Sequence, residues 1–218
     1  MNIAIYQDTA CPWCRIGKKN LKTALSRWQS ESGHTEPITI SYHPFFLDPT
    51  IPDGGLPFLP YMRAKGGGQM LPENWFAGPR DAGARVGVIF NFDRITVAPN
   101  TLLSHELIAL APLDKREAVI DAIYDGYFAN GQDIGDPAVL IALATEAGLD
   151  GEAIRVPLMQ HTMRDSVLAE IEEAVALGIT GVPFFVINDH YAFSGAQPAE
   201  SILRLLRQVA ARETSASA

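Results

Sequence analysis

Residues 3–14 of the chain, IAIYQDTACPWC, place a short apolar run a few residues before a pair of cysteines. The run from Ile3 to Tyr6 predicts a buried strand. Pro12 suits the first turn of a helix, because the N–H group that proline lacks would have no helical partner there. We therefore predict a strand, a turn and a helix, with Cys11 at the N-terminus of that helix.

The segments that follow extend this pattern into a strand–helix–strand unit. Leu21, Leu25 and Trp28 recur at helical spacing, which predicts a helix that runs to about Ser30 and ends before Gly33. The alternation in residues 38–42, ITISY, predicts a second strand. Such a unit implies two parallel strands joined by a right-handed crossover.

The middle of the chain has a different character. Proline and glycine cluster between Pro49 and Pro72, which predicts a long surface loop with one short helix. Asp136 and Pro137 are typical of an N-cap and a first helical position, and Gly148 is typical of the end of that helix. The predicted helices are marked by Leu102, Leu103, Ile108 and Leu110, by Val119, Ala122, Ile123 and Tyr127, by residues 137–148, and by Val167, Ile171, Ala174 and Val175 before Gly178.

The C-terminal part returns to strands. Residues 184–187, FFVI, predict a buried strand, residues 188–190 a hairpin turn and residues 191–193 its partner strand. Pro198 begins a final helix. The order β-α-β, helices, β-β-α matches an α/β thioredoxin fold that carries a large inserted helical domain. We predict a discontinuous thioredoxin-like domain at 1–48 and 179–213, an inserted loop and helical domain at 49–178, and a frayed tail at 214–218.

Composition excludes several classes of protein. Apolar residues make up 47% of the 218 residues and charged residues 19%, as in ordinary globular proteins. A formal net charge of −8 without a basic stripe argues against nucleic-acid binding. No apolar run is long enough to span a membrane, and the N-terminal residues lack the features of a secretory signal. We therefore expect a cytoplasmic protein without nucleic-acid or membrane partners.

The cysteine pair is the strongest chemical signal. Two cysteines are too few for a disulfide scaffold, and a lone pair in a reducing compartment is usually catalytic or metal-binding. A helix N-terminus favours thiolate over thiol, and thiolate is the nucleophile in disulfide exchange. We predict that Cys11 attacks and that the more enclosed Cys14 resolves the mixed disulfide. Pro12 and Trp13 would tune the redox properties, and no bound cofactor is needed because the Cys11–Cys14 disulfide carries the electrons.

Three segments resemble the DsbA family of thiol-disulfide oxidoreductases, and are most similar to its cytoplasmic FrnE-like branch. These are residues 8–18 (DTACPWCRIGK), 181–188 (GVPFFVIN) and 194–198 (SGAQP). The segment from Asn100 to His105 is similar to a family segment as well, so the resemblance covers nearly the whole chain. It implies protein disulfide oxidase or isomerase activity on protein or small-molecule thiols and disulfides.

The same resemblance implies roles for further residues. Cys11 and Cys14 would be catalytic, and Pro183 would be a cis-proline that faces them, with Val182 free to pair with a substrate strand. The chain departs from some FrnE-like members, which carry more cysteines near the C-terminus, and its glycine-rich stretch at 66–68 is unfamiliar.

Several alternatives stay open at this point. The cysteines could be half of a metal site, although the histidines show no ligand spacing and we expect no metal. A kappa-type glutathione-dependent isomerase or transferase shares the fold but typically carries serine at the catalytic position, and glutathione could also serve as a co-substrate. A non-catalytic chaperone or binding module is the third reading. Asp8 could relay protons to Cys14 or be a turn residue before the helix. Apolar residues at 57–62 could form a peptide groove, a homodimer face or a plain surface loop.

We expect structural rather than catalytic roles for four further residues, His105, Phe45, Phe46 and Trp75. We expect His105 to pack in its helix or to lie at the surface. The three aromatic residues are expected in the core.

Overall fold

A computed structural model describes residues 1–32, 37–66 and 72–216 of the chain. At its centre is a four-stranded sheet with the order β2-β1-β5-β6. Strand β1 (Asn2–Gln7) pairs in parallel with β2 (Thr39–Pro44) and antiparallel with β5 (Phe184–Ile187). Strand β6 (Tyr191–Ser194) pairs antiparallel with β5. The N-terminal strand–helix–strand unit and the C-terminal hairpin therefore share one sheet, as the predicted thioredoxin fold requires.

Helices α1 (Pro12–Ser32) and α9 (Ala199–Ala216) pack against each other and against one face of this sheet. Alternate residues of the central strands point into that layer, because successive side chains of a strand face opposite sides of a sheet. The layer is completed by apolar positions at helical spacing on both helices. Its buried residues are Ile3, Ile5, Leu21, Ala24, Leu25, Trp28, Phe185, Ile187, Ile202, Leu203, Leu206 and Val209.

The chain between β2 and β5 is mostly helical. It begins with β3 (Leu56–Pro57), α2 (Phe58–Lys65) and α3 (Pro72–Arg85), then a 3₁₀ turn at Phe92–Arg94 and β4 (Val97–Ala98), which pairs antiparallel with β3. Five further helices follow, with a π-helical turn, Asp125–Ala129, directly after the second of them. They are α4 (Leu102–Leu110), α5 (Arg116–Tyr124), α6 (Pro137–Glu146), α7 (Gly151–Met159) and α8 (Arg164–Ala176).

A stack of phenylalanine rings ties the first helices of this region to its core. Phe58 stacks on Phe76, Phe76 on Phe92 and Phe92 on Phe90, with ring centroids 4.5–5.5 Å apart. Offset ring pairs of this kind stabilise a core beyond the area that they bury. The rings belong to one large cluster of buried residues that also includes both cysteines.

Most predicted elements are present, and the differences have local causes. The predicted helix that ends at Gly148 has Asp136 as its N-cap, with the carboxylate accepting the Ala138 N–H, and Gly148 has a φ of +86°. The sequence did not predict α3 or α7, because each contains an internal proline, Pro79 and Pro157, which normally disfavours a helix.

Other predictions fall at the limits of the described chain. The final helix extends to Ala216, beyond the tail boundary that we placed at residue 214. The predicted loop between Pro49 and Pro72 contains β3 and α2, and its residues 67–71, which include two of the three adjacent glycines, lie outside the described residues. The predicted helix end at Gly33 and the histidine at position 34 also lie outside them.

A ladder of ion pairs joins α1 to α5. Lys18 Nζ lies 2.6 Å from Asp121 Oδ1 and 3.4 Å from Glu117 Oε1, and Lys22 Nζ lies 2.8 Å from the same Glu117 oxygen. Arg15 pairs with Asp125 at the next step of the ladder. The Lys18 side chain is only 6% exposed, whereas that of Lys22 is 63% exposed. Lys18 therefore contributes more to the packing of α1 on the inserted helices.

We predict that Lys18→Met lowers the free energy of unfolding by roughly 1–3 kcal/mol, because it leaves two neighbouring carboxylates without their shared buried cation. Lys22→Met, the matched exposed change, should cost about 0.5 kcal/mol or less. Urea unfolding of both variants measures the difference. Equal effects of the two changes would contradict the assigned role of Lys18.

Candidate active site

The two cysteines lie at the start of α1. Cys11 immediately precedes the helix and Cys14 lies in its first turn, and both are free thiols that are 2% and 1% exposed. The Cys14 N–H donates to Cys11 Sγ over 3.1 Å. A helix N-terminus has unpaired N–H groups and the positive end of the helix dipole, so this arrangement stabilises negative charge on the first sulfur. The structure thus brings both predicted catalytic residues together.

The segment before β5 approaches Cys11 from the other end of the chain. The Cys11 thiol donates to the carbonyl oxygen of Val182 over 3.7 Å, and the Val182–Pro183 peptide bond is cis. Gly17 allows this approach, because a Cβ atom at Gly17 would lie 2.9 Å from Pro183 Cγ and 3.2 Å from Phe185 Cζ. Gly17 could not be recognised as a site residue from the sequence, since a close contact between distant segments leaves no local pattern.

The second sulfur has a different environment from the first. The pKa of the Cys14 thiol is raised well above its ordinary value, mainly by burial and then by its hydrogen bond and charge interaction with Cys11. A backbone hydrogen bond with Asp8 acts in the opposite direction. Burial disfavours the charged form of any thiol. Cys14 is therefore held as a neutral thiol while Cys11 has the helix N–H donor.

Asp8 is buried just below the cysteines and organises the turn before α1. Its carboxylate oxygens accept the N–H groups of Ala10 (3.0 Å) and Leu47 (2.7 Å), and its carbonyl oxygen accepts the Cys11 N–H (3.1 Å). These bonds show the turn role that the sequence suggested. Proton transfer from Cys14 through Asp8 stays a prediction.

Tyr124, at the end of α5, is a residue of the site that the sequence analysis missed. Its hydroxyl donates to Gln7 Oε1 over 2.9 Å, and the Asp8 carbonyl oxygen lies 3.4 Å away. The pKa of Tyr124 is raised well above its ordinary value, first by burial and then by the nearby charges of Cys14 and Cys11. In the sequence it is one more apolar position among those that mark α5, so no signal separates it from the core.

His105 is also buried beside this layer, in α4. Its ring lies 6.1 Å from the Phe46 ring, and burial lowers the pKa of the imidazole against the opposing charge of Asp8. The prediction of a packed helix residue holds for this histidine. Phe45 is buried as predicted, whereas Trp75 is 37% exposed and so is not the core residue that we expected.

A cavity of about 240 Å³ lies next to the cysteine pair, between α1 and the inserted helices. Pro12 and Trp13 form its side nearest Cys11, and Trp75 lies at its opening. Helix α2, where we predicted a groove, a dimer face or a loop, contributes four of the residues that line it. The residues that line it include Leu47, Ile51, Phe58, Tyr61, Met62, Lys65, Pro79 and Tyr127.

Among residues 1–32, 37–66 and 72–216, no group of three or more His, Cys, Asp or Glu side chains is arranged to hold a metal ion. Within the same part of the chain, none of the helices combines the length and the apolar character needed to cross a bilayer.

Comparison with known proteins identifies relatives over almost the full length. The family model described as DSBA-like thioredoxin domain matches residues 2–207. The crystal structure of a probable DsbA oxidoreductase from Streptomyces coelicolor has 35% identity and a TM-score of 0.83, and the match covers 95% of this chain and 89% of that one.

Two more distant matches also cover most of the chain. The uncharacterized protein YwbO of Bacillus subtilis is 27% identical over 196 residues, which is 87% of this chain and 88% of YwbO. The cytosolic disulfide reductase DsbM from Pseudomonas aeruginosa, solved with GSH, has 19% identity and a TM-score of 0.63, over 96% of this chain and 99% of that one.

We predict that Gly17→Ala destabilises the protein by roughly 1–3 kcal/mol, because the new methyl group would overlap the ring of Pro183. Helix propensity alone would give the opposite sign, since alanine is favoured over glycine inside a helix by about 1 kcal/mol. Gly54→Ala is the control, because a Cβ atom there meets nothing within 4 Å. A more stable Gly17→Ala protein in urea unfolding would show that α1 and Pro183 are not in close contact.

We also predict that Tyr124 makes stability fall at high pH. The unfolded chain loses the phenol proton near pH 10, whereas burial keeps the folded pKa higher, so this contribution is complete below about pH 10 and is lost above it. The slope approaches about 1.4 kcal/mol per pH unit. Tyr124→Phe should flatten the curve of unfolding free energy against pH above pH 10. Parallel curves for the two proteins would contradict the burial of the phenol.

Proposed function

The chain belongs to the family of DSBA-like thioredoxin domain proteins, and from this membership we propose that it exchanges disulfides with protein thiols through Cys11 and Cys14. The observation that carries the proposal is the Cys14 N–H bond to Cys11 Sγ at the start of α1. This geometry supports an attacking thiolate at Cys11 with a second thiol one turn away. The form of exchange that we propose is oxidation of protein thiols or isomerisation of protein disulfides.

In the proposed reaction the Cys11 thiolate attacks one sulfur of a substrate disulfide. A Cys11–substrate disulfide forms, the substrate S–S bond breaks, and the departing substrate thiolate takes a proton from solvent. Cys14 then gives up its proton and attacks Cys11 Sγ. The Cys11–Cys14 disulfide forms and the second substrate thiol is released, so that the substrate has gained two electrons and the protein has lost them.

The reverse of these steps oxidises a dithiol substrate and requires the same atoms. Burial of Cys14 supports the order of attack, because a thiol with a raised pKa is a poor first nucleophile at neutral pH. We further propose that Val182 pairs with the main chain of the substrate, that Asp8 accepts the Cys14 proton, and that Pro12 and Trp13 tune the redox potential. The electrons are carried by sulfur itself, without a bound cofactor.

We predict that Cys11→Ser reduces catalysed insulin reduction and the refolding of scrambled ribonuclease to the uncatalysed rate, because the attacking sulfur is lost. Cys14→Ser should instead accumulate mixed disulfides with substrate at Cys11, which non-reducing gels and mass spectrometry detect. The double variant is the control and should trap nothing. Full activity of Cys11→Ser would reject the mechanism.

A glutathione-dependent reaction is the second candidate, in which glutathione acts as co-substrate. Its support is that the similar fold of DsbM has been solved with GSH. It differs from the first proposal in one measurable respect: glutathione would release the substrate in place of Cys14, so turnover would survive Cys14→Ser. A chaperone role without catalysis would survive the loss of both cysteines.

A further inference from the structure

The cavity beside Cys11 has a lining that differs from an ordinary surface cleft. Its walls combine aromatic rings from four separate segments with aliphatic side chains, and its volume is about 240 Å³. Ligand sites in proteins are concave and mostly apolar, with few polar groups. The aromatic wall residues are Trp13, Phe58, Tyr61, Trp75 and Tyr127.

The charged groups in the wall, Asp8, Asp48 and Lys65, already have partners within the protein. Both Asp8 oxygens accept backbone N–H groups. The Asp48 carboxylate accepts from Thr50 and, over 2.9 Å, from the Tyr61 hydroxyl, and it pairs with Lys65 at 3.2 Å. Asp48 and Lys65 neutralise each other within the wall, and its aromatic and aliphatic surface favours a ligand group that is itself apolar.

The opening of the cavity adds a second observation. Trp13, Leu47 and Trp75 line the cavity and are nevertheless 42%, 44% and 37% exposed. Exposed large apolar side chains grouped around a cavity mark an interaction surface. A group that filled the cavity alone would leave this rim in water, so the occupant belongs to a larger molecule.

The position of the cavity relative to Cys11 Sγ determines the direction in which the larger molecule would cross the site. The cavity borders Pro12 and Trp13 on one side of Cys11, whereas the Val182 carbonyl oxygen approaches the Cys11 thiol and does not line the cavity. An extended polypeptide that contacted both would pass directly over Cys11. The apolar surface is thus continuous with the place where a substrate disulfide must react.

We propose that this cavity is a specificity subsite for an aromatic side chain within one or two residues of the reacting cysteine of a polypeptide substrate. The inference rests on the proposed function, since it concerns the substrate that reaches Cys11. Burial of one aromatic ring against Trp75, Tyr61 and Phe58 would favour such substrates over those with small or charged neighbours. Selection by the cavity would act beside any main-chain pairing at Val182.

The test uses pentapeptides with a central cysteine linked to glutathione through a disulfide. One peptide has alanine at every other position, and four others carry a single phenylalanine one or two residues before or after the cysteine. The rate constant for reduction of each by the dithiol protein is measured by chromatography of quenched samples. At least one phenylalanine peptide should react about tenfold faster than the alanine peptide, and a glutamate at that position should remove the advantage.

Variants of Trp75 test whether the faster reaction of the phenylalanine peptide depends on the cavity. Trp75→Ala and Trp75→Glu should both bring the ratio of phenylalanine to alanine rates to about two or less, because they remove an aromatic wall at a position that is partly exposed and so tolerant of change. Leu113→Ala, a change at a side chain that is 80% exposed and outside the cavity, should keep the wild-type ratio.

The outcomes separate this inference from the proposed function. Equal rates for all peptides, or an advantage that persists in both Trp75 variants, would overturn the subsite while leaving disulfide exchange intact. Failure of every peptide to react with the wild-type dithiol would instead count against the exchange reaction itself, and the subsite would fall with it.

Discussion

The antiparallel pairing of β1 with β5 is the constraint on which the rest of the site depends. Tyr6 lies opposite Phe184, so the end of the first strand and the start of the fifth lie at the same edge of the sheet. The turn after β1 leads to Cys11, and Val182 stands just before β5. Two segments that are 171 residues apart in sequence are thereby brought to a sulfur–oxygen distance of 3.7 Å.

The inserted helices enclose the end of the sheet at which Cys11 and Val182 meet. Both cysteines share one buried cluster with Tyr124 and with Leu107 of α4, and the ion pairs of Lys18 with Glu117 and Asp121 fix α1 against α5. The two thiols differ in their surroundings, because Cys11 Sγ accepts the Cys14 N–H while burial raises the pKa of Cys14. This asymmetry supports the proposed reaction, in which Cys11 attacks and Cys14 resolves the mixed disulfide.

Local patterns predicted a large part of the fold. The hairpin turn is an example, since Asn188 and Asp189 adopt φ values of +49° and +61°, as in turns that match the twist of a hairpin. Gly178 likewise has a φ of +80°, which few other residues adopt, at the end of the helix that it was predicted to close. The cysteine pair at the start of α1 was predictable for the same reason, because Pro12 and the apolar spacing act within a few residues.

Features that arise from contacts across the chain were not predictable. Helices α3 and α7 form in spite of Pro79 and Pro157, because packing of their apolar side chains outweighs an unfavourable local sequence. Tyr124 reaches Gln7 from 117 residues away, and Gly17 owes its importance to Pro183. Trp75 lines the cavity beside Cys11 only because α3 lies against α1.

The redox equilibrium of the protein with glutathione tests the central claim most directly. Samples are equilibrated over a series of ratios of reduced to oxidised glutathione, trapped in acid, and analysed for the intramolecular disulfide by mass spectrometry. The structure predicts one two-electron transition in which Cys11 and Cys14 convert together to a disulfide, with little protein–glutathione mixed disulfide at the midpoint. Two thiols that stay reduced throughout, or that form only separate mixed disulfides, would contradict a functional pair at the start of α1.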